Sequence, residues 1–187
     1  MTADLKELRA IAQREFAAIR GRVPSRLALL SGRKLLVLPD RFMTRLGGAA
    51  AIYGWVCVSP ELLKAPPAVR QAIIAHEWGH IACGHCNATL AGLVGVLIYG
   101  VISSTTGPGF FWPAVNLAIL SIITVAMLWA IHPRREFEAD ARGAEAVGKA
   151  SMAAALRWIV DRMNGGVVTD AVAARLDKLK EPAGASS

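Results

Sequence analysis

The sequence predicts a mainly α fold with a small antiparallel β-sheet and an inserted two-helix transmembrane hairpin. Three observations predict it. Residues 78–133, a run of 56, contain no Asp, Glu, Lys or Arg. Within that run, residues 89–106 and 112–131 each come close to the roughly 18–20 apolar residues that cross a bilayer. Gly107-Pro108-Gly109-Phe110-Phe111 supplies a turn between them. Outside it, apolar residues recur mostly at helical spacing, and short β-type runs are confined to residues 27–58. With 187 residues, 54% hydrophobic, and a mean hydropathy of +0.41, the chain is too apolar for an ordinary soluble domain. It also has little mass with which to wrap so long an uncharged hairpin in a globular core.

Leu5, Leu8, Ile11, Ala12, Phe16 and Ile19 repeat at helical spacing among charged residues, so residues 3–20 read as an amphipathic helix. Its apolar stripe is narrow and not Trp- or Phe-rich, which suits packing on the rest of the protein better than lying on a membrane. Leu27–Leu30, Leu35–Leu38 and Ile52–Val58 are apolar runs broken by Ser31-Gly32, Pro39-Asp40 and Gly47-Gly48, the pattern of a small antiparallel sheet. Ser59-Pro60-Glu61 combines a cap, a first-turn proline and an early acid at a helix start. Pro66-Pro67 starts a second helix, expected to run from Pro67 to about Cys86 and on into the first span. After the hairpin, Pro133 is expected to open a charged, Ala-rich helix through about Met163, ended by Asn164-Gly165-Gly166. Thr169 caps a last helix to about Lys180, and Glu181–Ser187 read as a disordered tail. No internal repeat or linker divides residues 1–187. They form one unit with an amino-terminal part (1–86), a transmembrane hairpin (89–131) and a carboxyl-terminal helical part (132–187).

Charge placement orients the hairpin. Of 21 Lys and Arg residues, 12 lie in 1–86, 9 in 132–187 and none in the connecting loop. By the positive-inside rule both flanks face the cytoplasm, and a multi-pass location in the cell (inner) membrane is expected. The net charge of +7 follows from this bias and from attraction to anionic headgroups, so the bilayer is the expected partner. No basic–aromatic interleaving points to nucleic acid. Thr2 to Arg22 is charge-rich and lacks the apolar centre of a signal peptide, which leaves the first span as the insertion signal.

His76-Glu77-Trp78-Gly79-His80 places two imidazoles one helical turn apart on one face, where both reach one tetrahedral Zn²⁺ while Glu77 points at a metal-bound water. A catalytic zinc needs a third protein ligand and an open position. Glu136 is the expected third ligand, because the hairpin returns the chain to the membrane face it left and Glu136 lies five residues past Ile131. Asp140, four residues on and on the same side, is placed to orient a ligand imidazole. Glu138 points about 200° away and reads as a solvated charge. The chemistry is hydrolysis of a peptide bond by water, with Glu77 as general base and later proton donor.

Two further histidines carry weaker readings. His85, about 140° around a continuous helix from His80, is expected to serve as a polar residue at the membrane boundary. His132 reads as interfacial, with a transition-state role open. Cys83-Gly84-His85-Cys86 spells the tetrapeptide of disulfide isomerases, but late in a helix rather than at an N-terminus after a strand. The three cysteines are therefore expected to be reduced packing thiols.

Taken together, these residues resemble the membrane zinc peptidase family of the bacterial heat-shock protease HtpX and the CAAX prenyl proteases. The resemblance covers roughly residues 50–180 and runs through Gly54-Trp55-Val56-Cys57-Val58-Ser59-Pro60-Glu61-Leu62-Leu63, His76-Glu77-Trp78-Gly79-His80-Ile81, a membrane hairpin, and Arg135-Glu136-Phe137-Glu138-Ala139-Asp140. It implies a gluzincin-like zinc peptidase in which His76, His80 and Glu136 bind Zn²⁺, Glu77 is the base, and Asp140 orients a ligand. It also implies that 52–58 is an edge strand pairing with extended substrate. Residues 1–187 are expected to lack the two spans that usually precede the catalytic part in HtpX-like members, and their carboxyl-terminal region is expected to be short. Arg175, in Ala173-Ala174-Arg175-Leu176, is the candidate for the family's oxyanion-stabilising residue. The expected function is a membrane-anchored zinc metalloendopeptidase acting on misfolded or membrane-associated proteins. The alternatives are a regulatory or processing protease of the BlaR/MecR type, although no sensor domain occurs here, and a catalytically silent scaffold, which would have no need of Glu77.

Overall fold

The computed structural model describes residues 3–23, 35–43, 48–52, 54–106, 111–163 and 166–180. In chain order these form α1 (Ala3–Arg22), β1 (Leu35–Val37), α2 (Asp40–Met43), β2 (Ala49–Ile52), β3 (Trp55–Val58), α3 (Pro60–Leu63) and α4 (Pro67–Ala82). They continue with α5 (His85–Thr106), α6 (Phe111–Val147), α7 (Lys149–Met163) and α8 (Asp170–Leu179).

Helix α4 is the axis of the core. Its apolar residues Ala72, Ile73, Ile74, Ala75 and Trp78 are buried on nearly every side, because α1, α6, α7 and the sheet all pack on it. The stripe of α1 contributes Ala12, Phe16 and Ile19, all buried. Phe16 meets Trp78 edge to face with ring centroids 5.6 Å apart, and the indole N–H donates to the Val23 carbonyl at 2.8 Å. Burying a ring of this size contributes on the order of 2–3 kcal/mol. The same two helices share a buried bidentate ion pair, in which Arg70 Nε and Nη2 donate to Glu15 Oε2 and Oε1 at 2.8 and 2.7 Å. Arg70 Nη1 also donates to the carbonyls of Leu63 and Ala65, so its buried guanidinium is satisfied and ties the turn before α4 to α1.

The sheet is mixed rather than antiparallel. Its order is β1-β3-β2, with β1 parallel to β3 (Leu35 opposite Val56) and β2 antiparallel to it (Ala49 opposite Val58). The expected run Ile52–Val58 is split, since Gly54 adopts φ +86° and folds β2 and β3 into a hairpin. Strand β1 then joins the far side of β3 after the intervening α2 and β2, and that crossover makes the pair parallel. Strand β3 is thereby central, with both sides hydrogen-bonded. The expectation that 52–58 is the open edge is corrected: on the side of the histidines the edge strand is β2. The run Leu27–Leu30 lies outside the described residues.

Two helix boundaries also differ from expectation. Helix α4 stops at Ala82 instead of continuing past Cys86. Gly84 takes φ +75°, a conformation open to glycine, and α5 restarts at His85 on a new axis. Pro133, expected to open a helix, instead lies inside the 37-residue α6. It removes a single N–H donor, and the helix resumes on either side of that loss. Helix α6 ends at Gly148 (φ +86°), so the expected 133–163 helix is divided between α6 and α7. Ser59 and Thr169 cap α3 and α8 through their side-chain oxygens. Most of the 107–111 turn, Asn164-Gly165 and the tail after Lys180 are outside the described residues.

Helix α5 and the first half of α6 pack against each other, with Gly100 against Leu117 and Gly92 near Thr124. Otherwise they turn apolar side chains outward, among them Leu97, Val101, Ile122, Val125 and Trp129. Both helices are long and apolar enough to cross a membrane, and neither apolar window is buried by the protein. Apolar surface exposed on this scale fits a bilayer.

Candidate metal centre

The site forms where α4 and α6 touch backbone to backbone. A Cβ on Gly79 would lie 2.5 Å from the Ala139 carbonyl oxygen, and one on Gly143 would lie 3.1 Å from the His76 nitrogen. Only glycines permit this approach, and it brings the α4 histidines against the α6 carboxylates. His76 Nε2 and His80 Nε2 are 3.2 Å apart, Glu136 Oε2 is 3.4 Å from the first and Glu136 Oε1 3.3 Å from the second. Ligand atoms about 2.0–2.1 Å from a tetrahedral zinc are separated by about 3.3 Å. The three side chains therefore enclose a space of the size Zn²⁺ requires, with the nitrogen and oxygen donors that suit it.

Behind His76 lies Asp140, only 3% exposed, whose Oδ1 accepts from His76 Nδ1 at 2.8 Å. That bond holds the ring so that Nε2 faces the cluster. Arg175, from α8, donates through Nε and Nη2 to Asp140 at 2.7 and 2.8 Å, and its Nη1 is 2.9 Å from Glu136 Oε2. Its guanidinium thus clamps the two carboxylates to each other. Nothing in the local sequence of α8 announces this, since the contact is set by how α7 and α8 fold back over α4 and α6.

The electrostatics follow from burial and close pairing. Burial opposes ionisation of Glu136 and Asp140, yet His76, His80 and Arg175 hold the Glu136 carboxyl well below the usual range, and Arg175 and His76 lower that of Asp140. Burial would push His76 down, but bonding to Asp140 and Glu136 outweighs it and raises the imidazole to about 9. Glu77 is raised, first by burial, with the two histidines partly offsetting it. A raised carboxyl is a better proton acceptor than an ordinary surface glutamate.

His85 and Glu138 depart from their expected places. The break at Gly84 swings His85 back toward α4, so its Nδ1 sits 2.9 Å from His80 Nδ1 and the residue is buried. Its Nε2 is 3.1 Å from Glu138 Oε2, while Arg134 Nε donates to Glu138 Oε1 at 2.9 Å. Glu138 is therefore a bonded partner of His85 rather than a simple solvated charge. The positive φ at Gly84 is the signal that a helix-wheel reading misses. His132, largely exposed, has Nε2 3.6 Å from Glu136 Oε1. Cys57, Cys83 and Cys86 are not joined in disulfides, and Cys86 Sγ meets the Ala51 carbonyl at 3.5 Å.

A cleft of about 430 Å³ leads to the cluster between β2 and the start of the apolar helix α5, lined by Ala51, Ile52, Glu77, His80, His132 and Glu136. Arg135 donates to Thr89 Oγ1 at 2.9 Å, and the two line the cleft where α5 meets α6. The backbone of Ala51 hydrogen-bonds Glu77, so the outer side of β2 borders the carboxylate.

A His-Glu-x-x-His helix joined by a carboxylate from a second helix is the donor set that metallopeptidases use. Residues 47–178 match peptidase family M48, and the chain belongs to that family. It is 35% identical over 121 residues to Protease HtpX of Pseudomonas aeruginosa, covering 54% of this chain and 41% of that protein. To Protease HtpX of Nitrosococcus oceani it is 31% identical over 136 residues, covering 63% and 45%. To Protease HtpX of Xanthomonas axonopodis pv. citri it is 34% identical over 106 residues, covering 46% and 36%. The chain spans less than half the length of these curated relatives. No solved structure gives a significant match.

Proposed function

We propose that the protein is a membrane-anchored zinc metalloendopeptidase that cleaves extended segments of misfolded or membrane-associated proteins at the cytoplasmic face of the inner membrane. The observation that carries this reading is the spacing of His76 Nε2, His80 Nε2 and Glu136, 3.2 to 3.4 Å, beside Glu77 and the outer side of β2. His76, His80 and Glu136 would hold zinc, which when bound would supply a Lewis acid able to acidify water and polarise a carbonyl. Glu77 accepts the proton of the attacking water on its carboxylate and returns it to the departing amine. Asp140 holds the His76 ring in the tautomer that offers Nε2, and Arg175 holds Asp140 and Glu136 in register. The edge of β2 pairs with the substrate main chain, which makes selection depend on extended backbone more than on side chains. Helix α6 runs unbroken from the apolar span to Glu136, five residues or about 7.5 Å past Ile131, so cleavage takes place close to the bilayer.

Detergent-purified protein incubated with casein and zinc tests the reading, with Glu77→Gln as control. The variant is expected to keep its zinc and lose at least about a hundredfold in cleavage rate. Equal cleavage by both proteins would remove Glu77 from the mechanism, and zinc binding without cleavage by either would favour a silent scaffold. Mapping cleavage sites in native membranes then separates broad quality control from processing of one dominant substrate.

A further inference from the structure

The two imidazoles that face the metal position are backed in different ways. His76 bonds directly to a carboxylate, Asp140, which Arg175 holds in turn. His80 meets the ring of His85, with Nδ1 facing Nδ1 at 2.9 Å. Beyond it His85 Nε2 lies 3.1 Å from Glu138 Oε2, and Arg134 holds the other carboxylate oxygen at 2.9 Å. The order histidine, carboxylate, arginine is the same on both sides, with one extra imidazole inserted on the side of His80.

We infer that His85 and Glu138 are positioning residues that fix the tautomer and ring orientation of His80 for metal binding, an inference that rests on His80 being a zinc ligand. The proton positions leave one consistent arrangement. If Nε2 of neutral His80 offers its lone pair to zinc, the proton is on Nδ1 and must be donated to His85 Nδ1. Neutral His85 then carries its own proton on Nε2, where Glu138 Oε2 accepts it. Each donor meets one acceptor, and the carboxylate at the end fixes the orientation of both imidazoles. Gly84 is what makes the chain of bonds geometrically available, because its φ of +75° turns the backbone so that a residue five positions after His80 returns beside it.

A competing use of the same side chains is a second metal site, since ligand atoms of Cys83, His85 and Glu138 lie within 4.8 Å of one another. A metal on His85 Nε2 would move the His85 proton to Nδ1, facing the Nδ1–H of His80 across 2.9 Å. Zinc at His80 and a metal at His85 Nε2 are therefore mutually exclusive, and the arrangement favours the positioning role.

Zinc affinity measured by chelator competition on the detergent-solubilised 187-residue chain tests this, together with total zinc content. His85→Leu is expected to bind zinc about tenfold or more weakly, whereas His85→Asn, whose Oδ1 can replace Nδ1 as acceptor, stays within about threefold of wild type. Glu138→Ala falls between them, and this half-exposed position carries the test should His85→Leu not fold. Wild-type affinity in His85→Leu, or equal losses in the Leu and Asn variants, would overturn the inference. So would uptake of two zinc ions by wild type with the second lost in Cys83→Ser. A Glu136→Ala protein that binds zinc as wild type does is a separate result, because it removes the ligand assignment itself.

Discussion

The Gly79 Cα and the Ala139 carbonyl are so close that a methyl group on the glycine would sit 2.5 Å from that oxygen and 3.0 Å from the Ala139 Cα. Both neighbours are backbone, so no side-chain rotation relieves the clash. Gly79→Ala is therefore expected to push α6 from α4, at a cost of about 1–3 kcal/mol in stability, and to draw Glu136 away from the histidines. Gly95→Ala is the matched control, since a Cβ there meets nothing within 4 Å. Metal analysis and thermal unfolding of both variants would check this, and tight zinc binding by Gly79→Ala would show that the approach is not needed.

Local spacing made part of this arrangement legible in the sequence. His76 and His80 share a face because helices repeat every 3.6 residues, and Glu136 and Asp140 do so for the same reason. The apolar spans and the caps at Ser59 and Thr169 are equally local signals. What escaped depends on the rest of the molecule. Ala49–Ile52 is rich in alanine, which favours helices, and is a strand because β3 offers it a partner. Pro133 carries a helix-start signal, overridden by packing of α6 against α4 on one side and α5 on the other. Gly84 is punctuation whose consequence, the return of His85 to His80, needs the positions of both helices. Arg175 reaches a carboxylate 35 residues away only through the folding of α7 and α8.

The two acidic residues of α6 that flank Phe137 are predicted to behave differently. Glu136 points between the histidines, whereas Glu138 meets His85 on the other side. Glu136→Ala is expected to lose its zinc on dialysis, and Glu138→Ala to retain one ion with weakened affinity. The reverse pattern in metal content would mean that the helical register of the ligand set is wrong.

In the metal-free protein His76 is raised to about 9 from an ordinary 6.5, by its bonds to Asp140 and Glu136 against the opposing effect of burial. A group whose folded value lies above its unfolded one contributes stability that is complete below the unfolded value and is lost as pH rises through the folded one. Chelator-stripped protein should therefore lose thermal stability between pH 6.5 and about 9. Glu136, held well below the usual range, and Asp140, lowered as well, stay ionised throughout that window. Zinc must displace the Nε2 proton, so zinc binding within the window should release protons into a weakly buffered solution and flatten the decline. A melting temperature independent of pH in the stripped protein would show that His76 is neutral there.

The membrane orientation can be tested independently of any chemistry. Lys and Arg are absent from residues 78–133, while Arg134 and Arg135 follow the second span at once and Arg70 and Lys64 precede the first. Moving such charges across a bilayer is costly, so the hairpin is expected to leave both flanks, and with them the α4–α6 junction, on the cytoplasmic side. A reporter inserted at Gly109 should therefore be found outside the cytoplasm and one fused after Lys180 inside. The continuity of α6 links this outcome to the site, because the helix that emerges from the apolar span carries Glu136 within two turns. If both reporters were cytoplasmic, α5 and the apolar half of α6 would lie along a surface instead of crossing the bilayer. The outward-facing Leu97, Ile122 and Trp129 would then need a protein partner to cover them.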